Sequence, residues 1–251
     1  MRAMPHKPDA KSLQVLAAAL REQITTEEAR RKEKLDEGDA QFFADIAELH
    51  FIRAELDYFF EAPLPQVAKA VKLALADARE ALRLGRPANA WHLWDYLTYS
   101  LAVSDREAAE FFASLPARAW DEKIVKPVPW LTAQVKAAAA LVRVDPAVGR
   151  LLEQLRILVF DEILPEALDD LLPQIRNTCL LLEGVSRREA KAFHEAMASR
   201  AELRAEYYGR LAPAAPIALL DLAGLGLCRL AKDRGMEVDV RHVTLPLELL
   251  G

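Results

Sequence analysis

One stretch constrains this chain more than any other. Pro216-Ile217-Ala218-Leu219-Leu220-Asp221-Leu222-Ala223-Gly224-Leu225-Gly226-Leu227-Cys228-Arg229-Leu230-Ala231 is apolar almost all round and broken only by Asp221 and Arg229. A helix of that kind has to be surrounded by other helices or by lipid. The run is shorter than the roughly 20 residues that a membrane span requires. Lys232 and Arg234 place cations at its end, and Gly235 follows in the position where a left-handed residue closes a soluble helix. The expectation is a central buried helix in an all-α domain, with Gly224 and Gly226 allowing a close helix approach.

The rest of the chain reads as helices in sequence. An apolar start (Leu13, Val15, Leu16, Leu20, Ile24) turns highly charged over residues 27–34, as one helix or two meeting near Thr25, where Thr25 and Glu28 have capping-box spacing. Residues 40–61 carry two apolar stripes, Phe42/Ile46/Leu49/Ile52/Leu56/Phe60 and Phe43/Ala47/Phe51/Ala54/Tyr58, which predicts neighbours on both sides. Pro65 opens an amphipathic helix that Gly85 closes. An aromatic helix with Trp91, Trp94, Tyr96 and Tyr99 follows. Ser104-Asp105-Arg106-Glu107 then reads as a capping box for a short helix to Leu115. Residues 116–129 read as a loop anchored by Trp120. Asp145-Pro146 starts a further helix, Pro173 kinks or divides the next, Gly184 stops it, and Ser186-Arg187-Arg188-Glu189 caps the one after. Past Gly235 an alternating Val238, Val240, Val243 segment predicts an extended tail packed on helices, since a lone strand leaves its backbone groups unpaired.

Short joints between helices predict a multi-helix bundle or a right-handed stack of helical hairpins. With 9 Gly in 251 residues and no Gly/Ser-rich linker, the expectation is one helical domain over residues 1–251, with 1–12 as a flexible arm. No fixed-period repeat marks a solenoid. The amino terminus has no apolar segment behind its charges, so it is not read as a signal peptide, and a cytoplasmic location is expected. Cys179 and Cys228 lie in apolar runs, where a thiol behaves as a small hydrophobe. No membrane association is expected.

A search for chemistry returns no phosphate loop, His-Glu-x-x-His, Cys-x-x-Cys or Gly-x-Ser-x-Gly pattern. A di-iron bundle needs Glu-x-x-His pairs, and no histidine here has a glutamate three residues before it. Glu48 and His50 point in different directions on a helix, and His50 and Asp57, though on one face, stand too far apart along it to share an ion. No catalytic residue, cofactor site or metal site is therefore assigned, and the protein is read as a non-enzyme. Asp221 has two readings: an acid or base with a raised pKa, or a structural carboxylate paired with an arginine of a neighbouring helix. The aromatic run 91–99 is core or a stacking platform. A net charge of -5 disfavours nucleic acid, which needs an excess of cations, and suits a basic partner.

Two stretches resemble a known family. Leu230-Ala231-Lys232-Asp233-Arg234-Gly235, the alternating Val238 and Val240, and Leu245-Pro246-Leu247-Glu248-Leu249-Leu250 are similar to the ending of the immunity protein 49 family of bacterial toxin-immunity proteins. Residues 91–101, Ser104-Asp105-Arg106 and Phe111-Phe112-Ala113-Ser114-Leu115-Pro116 resemble its mid-chain helix, charged turn and short helix. The resemblance covers about a third of the chain and carries over no catalytic or binding position. It implies a protein that binds and neutralises a cognate toxin domain made by the same bacterium. Two carboxylate surfaces compete as the docking face for a basic toxin: Asp45, Glu48, Glu55 and Asp57, and Asp161, Glu162, Glu166, Asp169 and Asp170. The first is preferred because Glu48 and Glu55 fall two turns apart on one face beside Phe51 and Ile52. The alternatives are a tetratricopeptide-like scaffold or adaptor and an enzyme of unknown type acting through Asp221 or a Glu48/Glu55 pair.

Overall fold

The computed structural model describes residues 1–5, 7–116, 128–162, 168–212 and 215–250. Ten α-helices run through them: α1 (Ala10–Glu37), α2 (Ala40–Phe59), α3 (Leu64–Arg83), α4 (Ala90–Ala102), α5 (Arg106–Ala113), α6 (Pro129–Val142), α7 (Val148–Arg156), α8 (Leu172–Arg187), α9 (Ala190–Leu211) and α10 (Leu222–Asp233). A π-helical turn, Ile157–Asp161, prolongs α7, and short 3-10 turns cover Pro216–Ala218 and Leu247–Leu250. The described residues form no sheet; His242 and Leu245 make a single antiparallel bridge. The all-α expectation holds.

Consecutive helices pair as hairpins, α1 on α2, α2 on α3, α4 on α5, α6 on α7 and α8 on α9. The last helix breaks that order. α10 returns across the chain to lie against α4, which is also touched by α3, α5, α6 and the 3-10 turn at Leu247–Leu250. One hydrophobic core draws on all ten helices, and a smaller cluster of Phe42, Phe43, Ala44, Ile46 and Ala81 closes the start of α2 over the end of α3. The two-sided patterning of α2 is met by α1 and α3, which both pack on it, and by Tyr96 and Tyr99 of α4, which lie against Phe51.

The contact between α10 and α4 depends on a glycine. A Cβ built at Gly226 would collide with the Thr98 carbonyl oxygen and come within 2.8 Å of its carbonyl carbon. Gly224 is crowded by side chains instead, the Asp221 carboxylate and Leu245 Cδ2 at 2.9 Å, so the main-chain obstacle is the one at Gly226. Backbone atoms cannot rotate aside as a side chain can, so these helices meet at a separation that only glycine permits.

Several expected boundaries move, each for a local reason. The apolar run does not form one helix from Pro216: a 3-10 turn ends at Ala218, and α10 starts at Leu222 because Asp221 caps it, accepting from Gly224 N at 2.9 Å. α1 runs unbroken through Thr25, whose hydroxyl donates back to the Arg21 carbonyl at 2.8 Å instead of opening a new helix. At α5 the cap is Asp105, not Ser104; Ser104 takes a left-handed conformation and turns its hydroxyl elsewhere. Gly184 does not stop α8, which continues to Arg187 and ends on left-handed Arg188; the glycine lets α8 approach Phe193 of α9. Glu189 precedes α9 without a side-chain cap, so the Ser186 capping box does not form. Pro173 lies in the first turn of α8 and so divides rather than kinks. Residues 1–5, read as part of an arm, lie on α2: Arg2 N donates to the Phe59 carbonyl, the Arg2 guanidinium covers the Tyr58 ring, and Met4 is buried. Trp120 falls outside the described residues.

Candidate functional site

The charges of this helical body collect in two interior places. The first is built on α9, where Arg200 and Arg204 stand four residues apart and so share a face. Arg200 grips Asp221 with two hydrogen bonds, Nε to Oδ2 at 2.7 Å and Nη2 to Oδ1 at 2.9 Å, and its Nη1 reaches the Thr178 hydroxyl of α8 at 3.3 Å. Arg204 Nε lies 3.4 Å from Asp221 Oδ2. With the Gly224 amide, both carboxylate oxygens are occupied and α8, α9 and α10 are tied together. Burial works to raise the Asp221 pKa, but the two guanidiniums and their hydrogen bonds outweigh it and hold the group well below the usual carboxylate range. A carboxylate so held is a poor base, and the structural reading of Asp221 stands.

Two further carboxyls face the same cluster. Glu55 on α2 is 4% exposed, and burial pushes its pKa up to about 8 against the pull of Arg204. Asp95 on α4 is raised by burial to about 7, opposed by Arg204 and the Tyr99 hydroxyl. The 3-10 turn at Pro216–Ala218 packs on α2, and Glu55 is among the buried residues of that helix. The pairing of Glu48 with Glu55 as one exposed face is therefore corrected. Seven residues do return to the same side of a helix, but other elements cover the second of the two positions. The sequence signals for the cluster are a carboxylate inside each of two apolar helices and an Arg pair at i,i+4.

Beside this cluster lies a cavity of about 170 Å³, lined by Trp94, Asp95, Tyr99, Trp130, Gln174 and Arg204 among others. The aromatic run of α4 is thus mostly core, as Trp94, Tyr96 and Tyr99 are buried, whereas Trp91 is 41% exposed at the edge of the cavity and packs edge-to-face on Trp130 at 5.5 Å.

The second interior site joins α1, α2 and α3. Asp77, fully buried, is ion-paired with Arg31, and burial raises its pKa to about 6 against that pairing. His50 Nε2 stands 3.1 Å from Glu28 Oε1, and burial lowers the pKa of the ring. Among the described residues no group of three or more His, Cys, Asp and Glu is placed to hold a metal ion. Cys179 and Cys228 are free and buried, each raised to about 12 by burial.

The remaining carboxylates of the two expected docking surfaces fall as follows. Asp45 is exposed and accepts from Gln41 at 2.5 Å; Glu48 is exposed, 3.6 Å from His92 Nε2. Asp57 is half-buried between Arg53 and Gln66. Asp161, Glu162, Asp169 and Asp170 are exposed, Asp170 paired with Arg210, and Glu166 lies outside the described residues.

The tail and the mid-chain turn meet on the far end of α10. Ser104 donates its hydroxyl to the Leu250 carbonyl at 2.5 Å, and Arg229 Nη1 bridges the same two groups at 2.9 and 3.1 Å. Leu249 and Leu250 are buried; at the opposite end of α10 Leu245 is buried beside Gly224, Thr244 O accepts from Asp221 N, and the Tyr58 hydroxyl donates to the neighbouring Val243 carbonyl. Over residues 58–249, more than half its length, the chain matches the family model described as immunity protein 49. The chain belongs to the immunity protein 49 family. No curated protein and no solved structure matches it. In this immunity protein 49 chain the two stretches that carry the family resemblance are one structural unit. The α4 helix receives α10, and the Ser104 turn receives the last leucines. Among the described residues no helix is long and apolar enough to cross a membrane.

Proposed function

We propose that this protein neutralises a cognate bacterial toxin domain by binding it one-to-one in the cytoplasm of the cell that makes both. Membership of the immunity protein 49 family over residues 58–249 is the observation that carries the reading. A stoichiometric inhibitor needs a rigid surface and no chemistry of its own, and the Arg200–Asp221 and Arg31–Asp77 pairs are committed to holding helices together. The excess of carboxylates, net charge -5, favours a basic toxin and speeds its encounter.

Two exposed acidic patches serve that encounter: Asp45 and Glu48 on α2, and Asp161, Glu162, Asp169 and Asp170 between α7 and α8. The test is co-expression with the toxin encoded beside this gene, followed by association kinetics over a salt series for Asp45→Lys/Glu48→Lys and Asp169→Lys/Asp170→Lys. Each double reversal in a true docking patch should slow association at low salt while leaving the melting curve in place. No complex with the wild-type protein sinks the toxin reading. A complex whose association ignores both reversals sinks the electrostatic part alone.

A further inference from the structure

The cavity between α4, α6, α8 and α9 contains an imbalance. Trp130 is 3% exposed, yet its indole Nε1 has no hydrogen-bond partner, and the buried Nε2 of Gln174 has none either. Both residues line the cavity. Indole N–H can only donate, and a buried donor without an acceptor costs about 1–3 kcal/mol, so two of them at one cavity mark where an acceptor belongs. At about 170 Å³ the space far exceeds the roughly 10–15 Å³ that a single water needs.

The lining narrows the class of group that fits. A cation would sit near Arg200 and Arg204 and leave both donors unmet. A carboxylate would meet the donors but would have to give up its water, and the Arg200 guanidinium that could offset that loss already holds both oxygens of Asp221. A carboxamide offers both roles the lining asks for: a carbonyl that can accept from Trp130 and Gln174 and an NH₂ that can donate to Asp95, in a cavity walled by Trp94 and Tyr99. It also enters without the cost of stripping water from a charge. The edge of the cavity indicates who carries the group. Trp91 and Ile217, 41% and 38% exposed, flank it as large uncovered apolar side chains. A free small amide would fill the cavity and leave both bare, whereas a protein surface covers them while delivering a side chain inward, the arrangement of an aromatic-rimmed hot spot.

We infer that the cavity lined by Trp130, Gln174 and Asp95 receives an Asn or Gln side chain presented by the surface of the partner protein. For the identity of that partner the inference rests on the toxin-binding reading. The experiment uses the full chain. N-acetylglutamine methylamide is titrated into ¹⁵N-labelled protein while the Trp130 indole N–H resonance, assigned through Trp130→Phe, is followed, with the glutamate and norleucine analogues run in parallel. The glutamine probe should shift that resonance saturably in the millimolar range, and the other two should bind at least about fivefold more weakly, the loss of one net hydrogen bond.

Trp130→Phe and Gln174→Leu should each weaken the complex with the cognate toxin by about fivefold or more. Gln174→Leu should leave the melting temperature unchanged or higher, because it removes an unpaired donor at similar volume, whereas Trp130→Phe also shrinks a buried ring and is compared at equal folded fraction. No saturable shift, equal binding of the norleucine analogue, or unchanged toxin affinity in both variants overturns the inference. The first two results leave the toxin reading standing if the wild-type complex forms; absence of that complex removes the toxin reading and, with it, the partner named here.

Discussion

Gly226→Ala is the sharpest probe of how this fold is assembled, because two principles give opposite signs for it. Alanine is the better helix former by about 1 kcal/mol, so an isolated helix would gain from the change. In the folded protein the new methyl would strike the carbonyl of Thr98, part of the α4 backbone. Overpacking typically costs about 1–3 kcal/mol when side chains can give way, and here the obstacle is main chain, so a net loss near 3 kcal/mol is expected. For a chain of this size that lowers the melting temperature by roughly 6–12 °C. Gly149, in the first turn of α7, has nothing within 4 Å of the position its Cβ would take. Gly149→Ala should therefore raise stability by about 0.5 kcal/mol. Thermal melts followed by circular dichroism, with urea titration to confirm the sign, decide the matter. Equal melting temperatures for Gly226→Ala and wild type would mean that α10 and α4 do not pack at this separation, and the account of the central contact would fail.

Asp221→Asn keeps a good helix cap but strips the charge from beneath Arg200 and Arg204, so a loss of about 3–5 kcal/mol is expected in chemical denaturation; a change below 1 kcal/mol would show that the buried pair is not coupled. Leu250→Ala, at a fully buried position, should cost about 2–5 kcal/mol, against less than about 0.5 for exposed Leu211→Ala, and similar values for the two would detach the tail from the core. Glu55 gives a pH dependence whose sign is fixed by its raised pKa. The folded state keeps the proton up to about pH 8, whereas the unfolded chain releases it near the ordinary value of 4.5, so stability present below pH 4.5 is lost as pH rises toward 8. Glu55→Gln should flatten the fall in stability between pH 5 and 8, and an unaltered slope would place the ionised carboxylate comfortably in the fold.

The helices were legible in the sequence because each buries a stripe at helical spacing, and α2 announced two neighbours through two stripes. The caps were less so. Ser104 and Asp105 are both good cap residues, and the choice falls to Asp105 because the Ser104 hydroxyl is taken by the carbonyl of Leu250, a partner 146 residues away that local spacing cannot reveal. The charge cluster was hidden for the same reason. Glu55, Asp95, Arg200 and Asp221 come from α2, α4, α9 and the cap of α10, and only Asp221 stood out, since it interrupts a long apolar run whereas Glu55 and Asp95 lie in helices that carry other polar residues. Glu55 looked like part of an acidic face because a helical wheel shows direction but not what lies over it. The pairing of α4 with α10 had a partial signal in Gly224 and Gly226, which mark a close approach without naming the helix that makes it.

That pairing also sets the order in which the molecule can be completed. The α4 helix ends at Ala102 and its partner begins at Leu222. During synthesis the face of α4 that carries the Thr98 carbonyl therefore waits for its partner while more than a hundred further residues are made. The hairpins α2–α3 and α8–α9 can close as they leave the ribosome, because their halves are neighbours in sequence. The central contact cannot, and the tail that locks onto Ser104 and Tyr58 comes later still. Closing so distant a pair is slow, and an unfinished chain that bares apolar surface is prone to stick to others. Completion of the fold then depends less on how fast the helices form than on how soon α10 and residues 236–250 reach α4.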